Sequence, residues 1–248
     1  ITENEKINFF GTGAKFLDTL KNFQIDIKSQ YELKELKTIA STGSPLANDT
    51  FEYVYKSIKK DVHLASISGG TDIVSCFVLG NPSSPVFSGE IQCAGLGMDV
   101  DIFNDDGQSI KNTKGELVCK SPFPSKPLYF WNDKKFEKYK NSYFLKYQNI
   151  WCHGDYCIKT INNGYVILGR SDATLNSGGI RIGTAEIYKV IESLNEISEG
   201  LAVEHIYEND TKVILFIVTH ENAKLDNYLK SKLINRIKKD LSPKHVPS

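Results

Sequence analysis

The sequence predicts an α/β protein: a partial parallel sheet with flanking helices, a small antiparallel barrel behind it, and a small α+β domain at the end. Three observations point there. Residues 36 to 72 read strand, helix, strand, with a glycine-bearing loop after each strand, the order of a parallel sheet and not of a hairpin. From Ile91 to Gly169 the texture changes to short alternating strands broken by turns. Beyond Arg170, apolar residues recur at helical spacing around two further strand-like runs. This divides the chain into residues 1–171, with the sheet in 1–90 and the barrel-like part in 91–171, and a small domain over 172–248.

Taken in order, Leu36 to Ser41 is the first expected strand. After Gly43, Ser44 and Pro45 a helix starts with Asn48 or Asp49 as N-cap, and Phe51, Val54, Tyr55 and Ile58 fall on the face that covers the sheet. Val62 to Ile67 forms a second strand and runs into Ser68-Gly69-Gly70-Thr71-Asp72. If the strands are parallel, both loops lie along the carboxyl edge of the sheet, where open α/β folds bind ligands. The topology therefore proposes a site before any motif is invoked. Further strands are expected at Asp99 to Phe103, Glu116 to Lys120, Trp151 to Lys159 and Tyr165 to Leu168, with turns at Asp106-Gly107 and Asn163-Gly164. In the last part a helix over about Thr184 to Leu194 carries Ile187, Val190, Ile191 and Leu194. Strands near Leu201 to Ile206 and Val213 to Thr219 follow, then a helix near Leu225 to Ile237.

The 248 residues are 40% hydrophobic, with 30 Lys and Arg against 30 Asp and Glu, a composition too apolar for intrinsic disorder. The longest wholly apolar run, Val213 to Val218, falls far short of the roughly 20 residues a membrane-spanning helix needs, and the N-terminus lacks a secretory pattern. Zero formal net charge and the lack of a basic stripe with interleaved aromatics argue against nucleic acid. Neither a membrane nor a nucleic-acid partner is expected. Five cysteines, an odd count, suit thiols kept reduced in the cytoplasm better than a disulfide framework. Cys152 and Cys157, with His153 between them, lack the second ligand pair of a structural zinc site and read as buried small residues. The chain starts at Ile1 and stops on Pro247-Ser248 without a capping signal, so it reads as a piece of something longer.

Several glycine strings invite a phosphate reading. Gly11-Thr12-Gly13-Ala14-Lys15 resembles half a phosphate loop but lacks the spacing and the hydroxyl after the lysine, so a helix N-terminus with an adaptable turn competes with it. Gly95-Leu96-Gly97 has no third glycine and no following helix, and reads as a turn. The Ser68 to Asp72 segment is more specific. Paired glycines let backbone N–H groups approach a phosphate while a hydroxyl donates and a carboxylate holds Mg²⁺, although a tight turn with an Asp cap uses the same residue types.

Further pieces appear in order: Gly115-Glu116-Leu117, Trp151-Cys152-His153-Gly154-Asp155, Gly169-Arg170-Ser171-Asp172, and Gly178-Gly179-Ile180-Arg181-Ile182-Gly183-Thr184-Ala185-Glu186-Ile187. In this order and at these spacings the chain resembles the adenylate-forming acyl-CoA synthetases. The wording of Ser41 to Leu46, of Ala65 to Cys76 and of Gly169 to Asn176 is similar to the branch that activates acetoacetate, and the resemblance covers essentially the whole chain.

The resemblance implies the adenylate-forming fold and a two-step ligase with ATP, CoA and Mg as its cofactors. The acid attacks the α-phosphate of ATP to give acyl-adenylate and pyrophosphate, and the CoA thiol then displaces AMP. It places Gly43, Ser44 and Pro45 at adenine, and Ser66, Ile67, Ser68, Gly69, Gly70 and Thr71 along adenine and acyl group. Thr71 contacts the α-phosphate, Asp72 assists Mg²⁺, and Asp155 accepts both ribose hydroxyls, as an ionised carboxylate can from a vicinal diol. Arg170 reaches ribose or phosphate and Arg181 a phosphate, where fixed cations spread charge best in a site without water. For an isolated arginine the competing reading is a surface salt bridge. Asp172 falls at the hinge between the domains, and Gly178 and Gly179 along the pantetheine arm of CoA. Glu116 is expected to be structural, and Glu186 to complement the dipole of its helix.

Acetate-activating relatives carry Trp at the position of Gly69, so the glycine is expected to make room for a longer acid. Two parts of the family pattern match nothing here: the Ser/Thr/Gly-rich loop ending in Lys that grips the outer phosphates, and the adenylation lysine. The missing segments would be the partners of this chain, which by itself is expected not to catalyse ligation.

Overall fold

The computed structural model of the chain describes residues 1–172, 174–177, 180–207 and 210–247. It divides into two compact units, Ile1–Ile167 and Leu168–Ser248.

The first unit opens with β1 (Phe9–Gly13), α1 (Ala14–Asn22), β2 (Thr38–Thr42), α2 (Asn48–Tyr53) and β3 (His63–Ser66). The three strands form one parallel sheet with β2 in the middle, so the loops after β2 and β3 do leave from the same edge. Strand β1 was not expected: the string from Gly11 begins inside a strand, and α1 starts only at Ala14. Helix α2 continues as a π-helical turn over Val54–Ile58, closed by the Lys59 N–H on the Val54 carbonyl at 3.0 Å. Phe51, Val54 and Ile58 are buried as the spacing predicts, and Tyr55 packs against their cluster.

The expected N-cap is corrected. Ala47 precedes the helix in extended conformation and no side chain caps it, because Asp49 binds Lys21 at 2.9 Å and the amide of Asn48 fills the space over Gly89.

The chain then forms β4 (Ser68–Gly70), β5 (Ser75–Leu79) and β6 (Cys93–Ala94), an antiparallel sheet of three strands. The segment read as one loop, Ser68 to Asp72, is thus a strand followed by a turn. Next come β7 (Val100–Phe103), β8 (Gly115–Cys119), α3 (Glu137–Tyr143), β9 (Trp151–Lys159) and β10 (Tyr165–Arg170). Their order is β10-β9-β8-β7, a sheet of short strands in which β7, β8 and β9 pair antiparallel, in line with the barrel-like part predicted over residues 91–171. Every residue of β8 is buried, so this sheet is covered on both faces. The core against it is aromatic: Phe77, Phe123 and Trp151 meet edge to face, with Phe123 centred 5.4 Å from Phe77 and 5.3 Å from Trp151.

The second unit contains the hairpin β11 (Thr174–Ser177) and β12 (Ile180–Gly183), α4 (Thr184–Glu192), the long hairpin β13 (Ile197–Tyr207) and β14 (Asp210–Thr219), and α5 (Asn227–Asp240). Asp226 caps α5, its carboxylate accepting the Leu229 N–H at 2.8 Å. Ile187, Val190, Ile191 and Leu194 are buried with Val213, Leu233 and Ile237, as their spacing predicts. Glu186 lies in the first turn of α4, where its carboxylate accepts from His245 Nε2 at 2.9 Å. No helix among the described residues is long and apolar enough to cross a membrane.

Cys152 and Cys157 are buried free thiols. Burial, helped by the charge of Glu116, pushes Cys152 up to about 11 from an ordinary 9.0. Burial, helped by Asp155, pushes Cys157 up to about 12. A raised thiol pKa leaves stability intact below about pH 9, where the unfolded thiol is neutral too, and removes it as pH rises through the folded values. Between pH 8 and 10.5 the two thiols are expected to cost about 4 kcal/mol together, at about 1.4 kcal/mol per pH unit each. Urea midpoints at the two pH values, compared with those of Cys157→Ala, measure this.

Candidate functional site

The carboxyl edge of the parallel sheet carries two of the expected segments. Ser41 is fully buried at the end of β2, and its Oγ has no hydrogen-bond partner. Its register partner Ser66 is also buried. Beyond them the chain comes to the surface, with Gly43, Ser44 and Pro45 all exposed. Gly43 sits at φ +88° in open space, so its glycine serves the turn itself.

Strands β4 and β5 approach so closely that a Cβ on Gly69 would lie 2.1 Å from the Ser75 carbonyl oxygen. The direction that a side chain on Gly69 would take is thus filled by backbone. Gly70 is constrained from another side, since a Cβ there would stand 2.0 Å from Asp72 Oδ1 and 3.0 Å from His153 Cε1. Thr71 and Asp72 follow in an exposed turn. Asp72 Oδ2 accepts the hydroxyl of Tyr143 at 2.6 Å, a partner that nothing in the sequence signals.

Asp155 lies in β9, and the pairing shows how it is aimed. While β8 advances from Glu116 to Val118, β9 advances from Cys152 to Tyr156, so His153, Gly154 and Asp155 form a bulge. Gly154 takes φ +80°, which only glycine adopts freely. Bulges re-aim side chains beside functional sites, and here both His153 and Asp155 end up buried, each 6% exposed. His153 Nε2 stands 3.8 Å from Asp155 Oδ2, its ring packs on Phe77 at 4.7 Å, and its Nδ1 is buried without a partner. The Cε1 edge of this imidazole faces Gly70. The structure thus brings the Gly70 to Asp72 turn beside the His153-Gly154-Asp155 bulge.

The remaining expected residues belong to the second unit. Arg170 and Asp172 are exposed and bound to each other, with Arg170 Nε donating to Asp172 Oδ1 at 2.8 Å. Gly169 takes φ +113° against Ala185, where a Cβ would lie 2.3 Å from that of Ala185. Gly178 and Gly179 lie outside the described residues. Arg181 stands in β12 opposite Asn176, and its side chain is likewise outside the description.

Glu116 is structural, as expected. It is 5% exposed, accepts from Lys146 at 3.0 Å, and Lys146 also reaches Asp105 at 2.9 Å. Burial opposes the Lys146 charge, but the bonds to Asp105 and Glu116 outweigh it and hold the ammonium above its usual value.

Magnesium is the one metal the sequence implies. Among the described residues no three His, Cys, Asp or Glu side chains cluster as a metal cage. A single exposed carboxylate, Asp72, suits a Mg²⁺ held mainly by a nucleotide's phosphates and water. A separate cleft of about 310 Å³ is lined by Ser84, Phe87, Glu90, Gln92 and Asn163 among others. None of the site residues above lines it. Its polar groups are already engaged, Glu90 with Thr160 and Asn162 and Gln92 with His63 and Asn81.

A parallel sheet edge with a glycine-rich turn set beside a bulged strand carboxylate, in a chain that continues into a small α+β unit, has the fold of the adenylate-forming acyl-CoA synthetases. The chain is 49% identical over 244 residues to an acetoacetyl-coenzyme A synthetase of Rhizobium meliloti, which covers 98% of this chain and 38% of that protein. It is 45% identical to the acetoacetyl-CoA synthetase of Gallus gallus, with 98% and 37% covered. Among solved structures it matches the acetoacetyl-CoA synthetase from Streptomyces lividans with a TM-score of 0.88 at 36% identity, over 100% of this chain and 38% of that one. The anthranilate CoA ligase AuaEII, solved with anthranoyl-AMP, shares the fold at TM-score 0.74 and 17% identity, over 99% of this chain and 46% of that one. No family model matches. The chain is a homologue of the acetoacetyl-CoA synthetases and spans under two-fifths of the length of the curated relatives it matches.

Gly69→Ala is expected to lower stability by about 1–3 kcal/mol, the usual cost of overpacking, by forcing β4 and β5 apart. Thermal unfolding compared with Thr71→Ala, which alters only an exposed turn residue, measures it.

Proposed function

We propose that this chain forms the nucleotide-binding part of a ligase that joins acetoacetate to coenzyme A through an acetoacetyl-adenylate. The observation that carries the reading is the bulge at His153-Gly154-Asp155, which buries the Asp155 carboxylate and sets the His153 ring against Gly70. The homology to acetoacetyl-CoA synthetases supplies the acid and the thiol.

In the first step a carboxylate oxygen of the acid bonds the α-phosphorus of ATP and pyrophosphate leaves. In the second the CoA sulfur bonds the acyl carbon, AMP leaves, and the thiol proton passes to solvent. Asp155 holds the nucleoside by accepting both ribose hydroxyls, and its burial strengthens those bonds. Gly43, Ser44 and Pro45 border the adenine, the stretch from Ser66 borders adenine and acid, and Thr71 donates to the α-phosphate. Arg170 and Arg181 spread the negative charge that gathers on phosphorus, Asp172 serves as hinge, and Gly178 and Gly179 flank the pantetheine arm. Magnesium, when bound, neutralises the outer phosphates, and Asp72 is the residue that would hold it.

Calorimetric titration of the 248-residue chain tests the reading. Asp155→Asn is expected to weaken AMP binding about 10- to 100-fold, the value of a charge-assisted hydrogen bond, and to leave 2′,3′-dideoxy-AMP unchanged. Equal losses for both nucleotides, or no binding of AMP by the unaltered chain, would overturn it. The acid is tested with non-hydrolysable acyl-sulfamoyl adenosines: the acetoacetyl analogue is expected to bind more tightly than the acetyl one.

A further inference from the structure

The partner of Asp72 is held more firmly than Asp72 itself. Tyr143 ends α3, and its ring lies flat on Trp151 with centroids 3.6 Å apart and planes at 15°. Phe130 and Tyr139 meet it edge-on at 5.7 and 5.6 Å. Trp151, only 2% exposed, is the first residue of β9. The phenol is therefore fixed by packed rings anchored on the strand that carries Asp155. The turn it reaches has little support of its own. Thr71 and Asp72 are exposed, and Val74 is 87% exposed at φ +50°, a conformation that β-branched residues avoid. Only Ile73 is buried in the core.

We propose that Tyr143 is a positioning residue that locks the Asp72 carboxylate for a nucleotide-bound divalent cation. The phenol takes Oδ2, and Oδ1 settles over Gly70, the one residue type whose missing side chain leaves room for it. One oxygen is thereby held by a hydrogen bond and the other is left for the cation, the arrangement by which outer-shell partners orient metal-binding carboxylates. The inference rests on the adenylate reading and adds a residue to it.

Tyr143→Phe keeps the stack on Trp151 and removes only the hydroxyl. ATP affinity measured by calorimetry with Mg²⁺ and with EDTA gives the gain due to the cation, and AMP affinity in EDTA reports the nucleoside site alone. The variant is expected to lose about 10-fold of the Mg²⁺-dependent gain, within the 10- to 100-fold typical of an outer-shell partner. Its AMP affinity and melting temperature should stay unchanged. A Mg²⁺ gain preserved in the variant overturns the role of Tyr143, and so does an equal loss of AMP affinity. ATP binding that ignores Mg²⁺ in the unaltered chain overturns Asp72 as the cation's residue while leaving the adenylate reading intact. Failure of the unaltered chain to bind AMP is the distinct result that removes that reading.

Discussion

The candidate site depends on one backbone irregularity, the bulge at His153-Gly154-Asp155 in β9. In regular pleating, residues two apart share a face and the pairing keeps step with the neighbouring strand. Here β9 runs ahead of β8 between Cys152 and Tyr156, and the surplus is absorbed by Gly154 at φ +80°. The strand on both sides stays in register, so Trp151 and Cys157 remain in the core while the His153 ring is set against Gly70, with Asp155 Oδ2 3.8 Å from its Nε2. A side chain on Gly154 would resist that conformation.

A second bulge faces the first. Between Ser68 and Gly69 the pairing of β4 with β5 shifts, so that Phe77 is the extra residue on β5. Phe77 is fully buried and its ring is the one that packs on His153. Two locally distorted strands are thus wedged against each other through one aromatic contact, and Gly69 and Gly70 let the backbones come close enough for it. Of the buried polar atoms without partners among the described residues, His153 Nδ1 and Trp151 Nε1 lie here, Ser41 Oγ lies at the edge of the parallel sheet, and Glu196 Oε2 lies in the second unit. Such groups are costly in a finished core, and a site that is completed by a ligand or by water gives them somewhere to bond.

What the sequence made legible follows from how locally each feature is encoded. The strands around Ile39, Leu64 and Ile102 are apolar runs bounded by glycine, and α4 and α5 announce themselves by spacing, so each was read within a few residues of its observed limits. Strand β1 escaped because none of its residues is buried and it ends Gly11-Thr12-Gly13, a composition that local rules assign to turns. Ser68-Gly69-Gly70 reads as a loop for the same reason, though tertiary pairing with β5 makes it a strand. Asp155 was legible only through the family resemblance, since no local rule marks a buried strand aspartate. Tyr143 was not legible at all: its hydroxyl meets a carboxylate 71 residues away in the sequence, and nothing near either residue encodes the meeting.

The two acid–base pairs of the motif series show why similar charges serve different ends. Glu116 is buried with its carboxylate on Lys146, beside the Cys152 thiol. The Glu116 side chain is 6% exposed, and a charge held that deep is costly to leave uncompensated. That pair cannot exchange partners without loosening the sheet, so its role is fixed by burial. The Arg170–Asp172 pair has side chains 46% and 60% exposed, and an exposed pair contributes at most about 1 kcal/mol. Solvent exposure thus keeps what this pair adds to the fold small, whereas burial makes the Glu116 carboxylate costly to disturb.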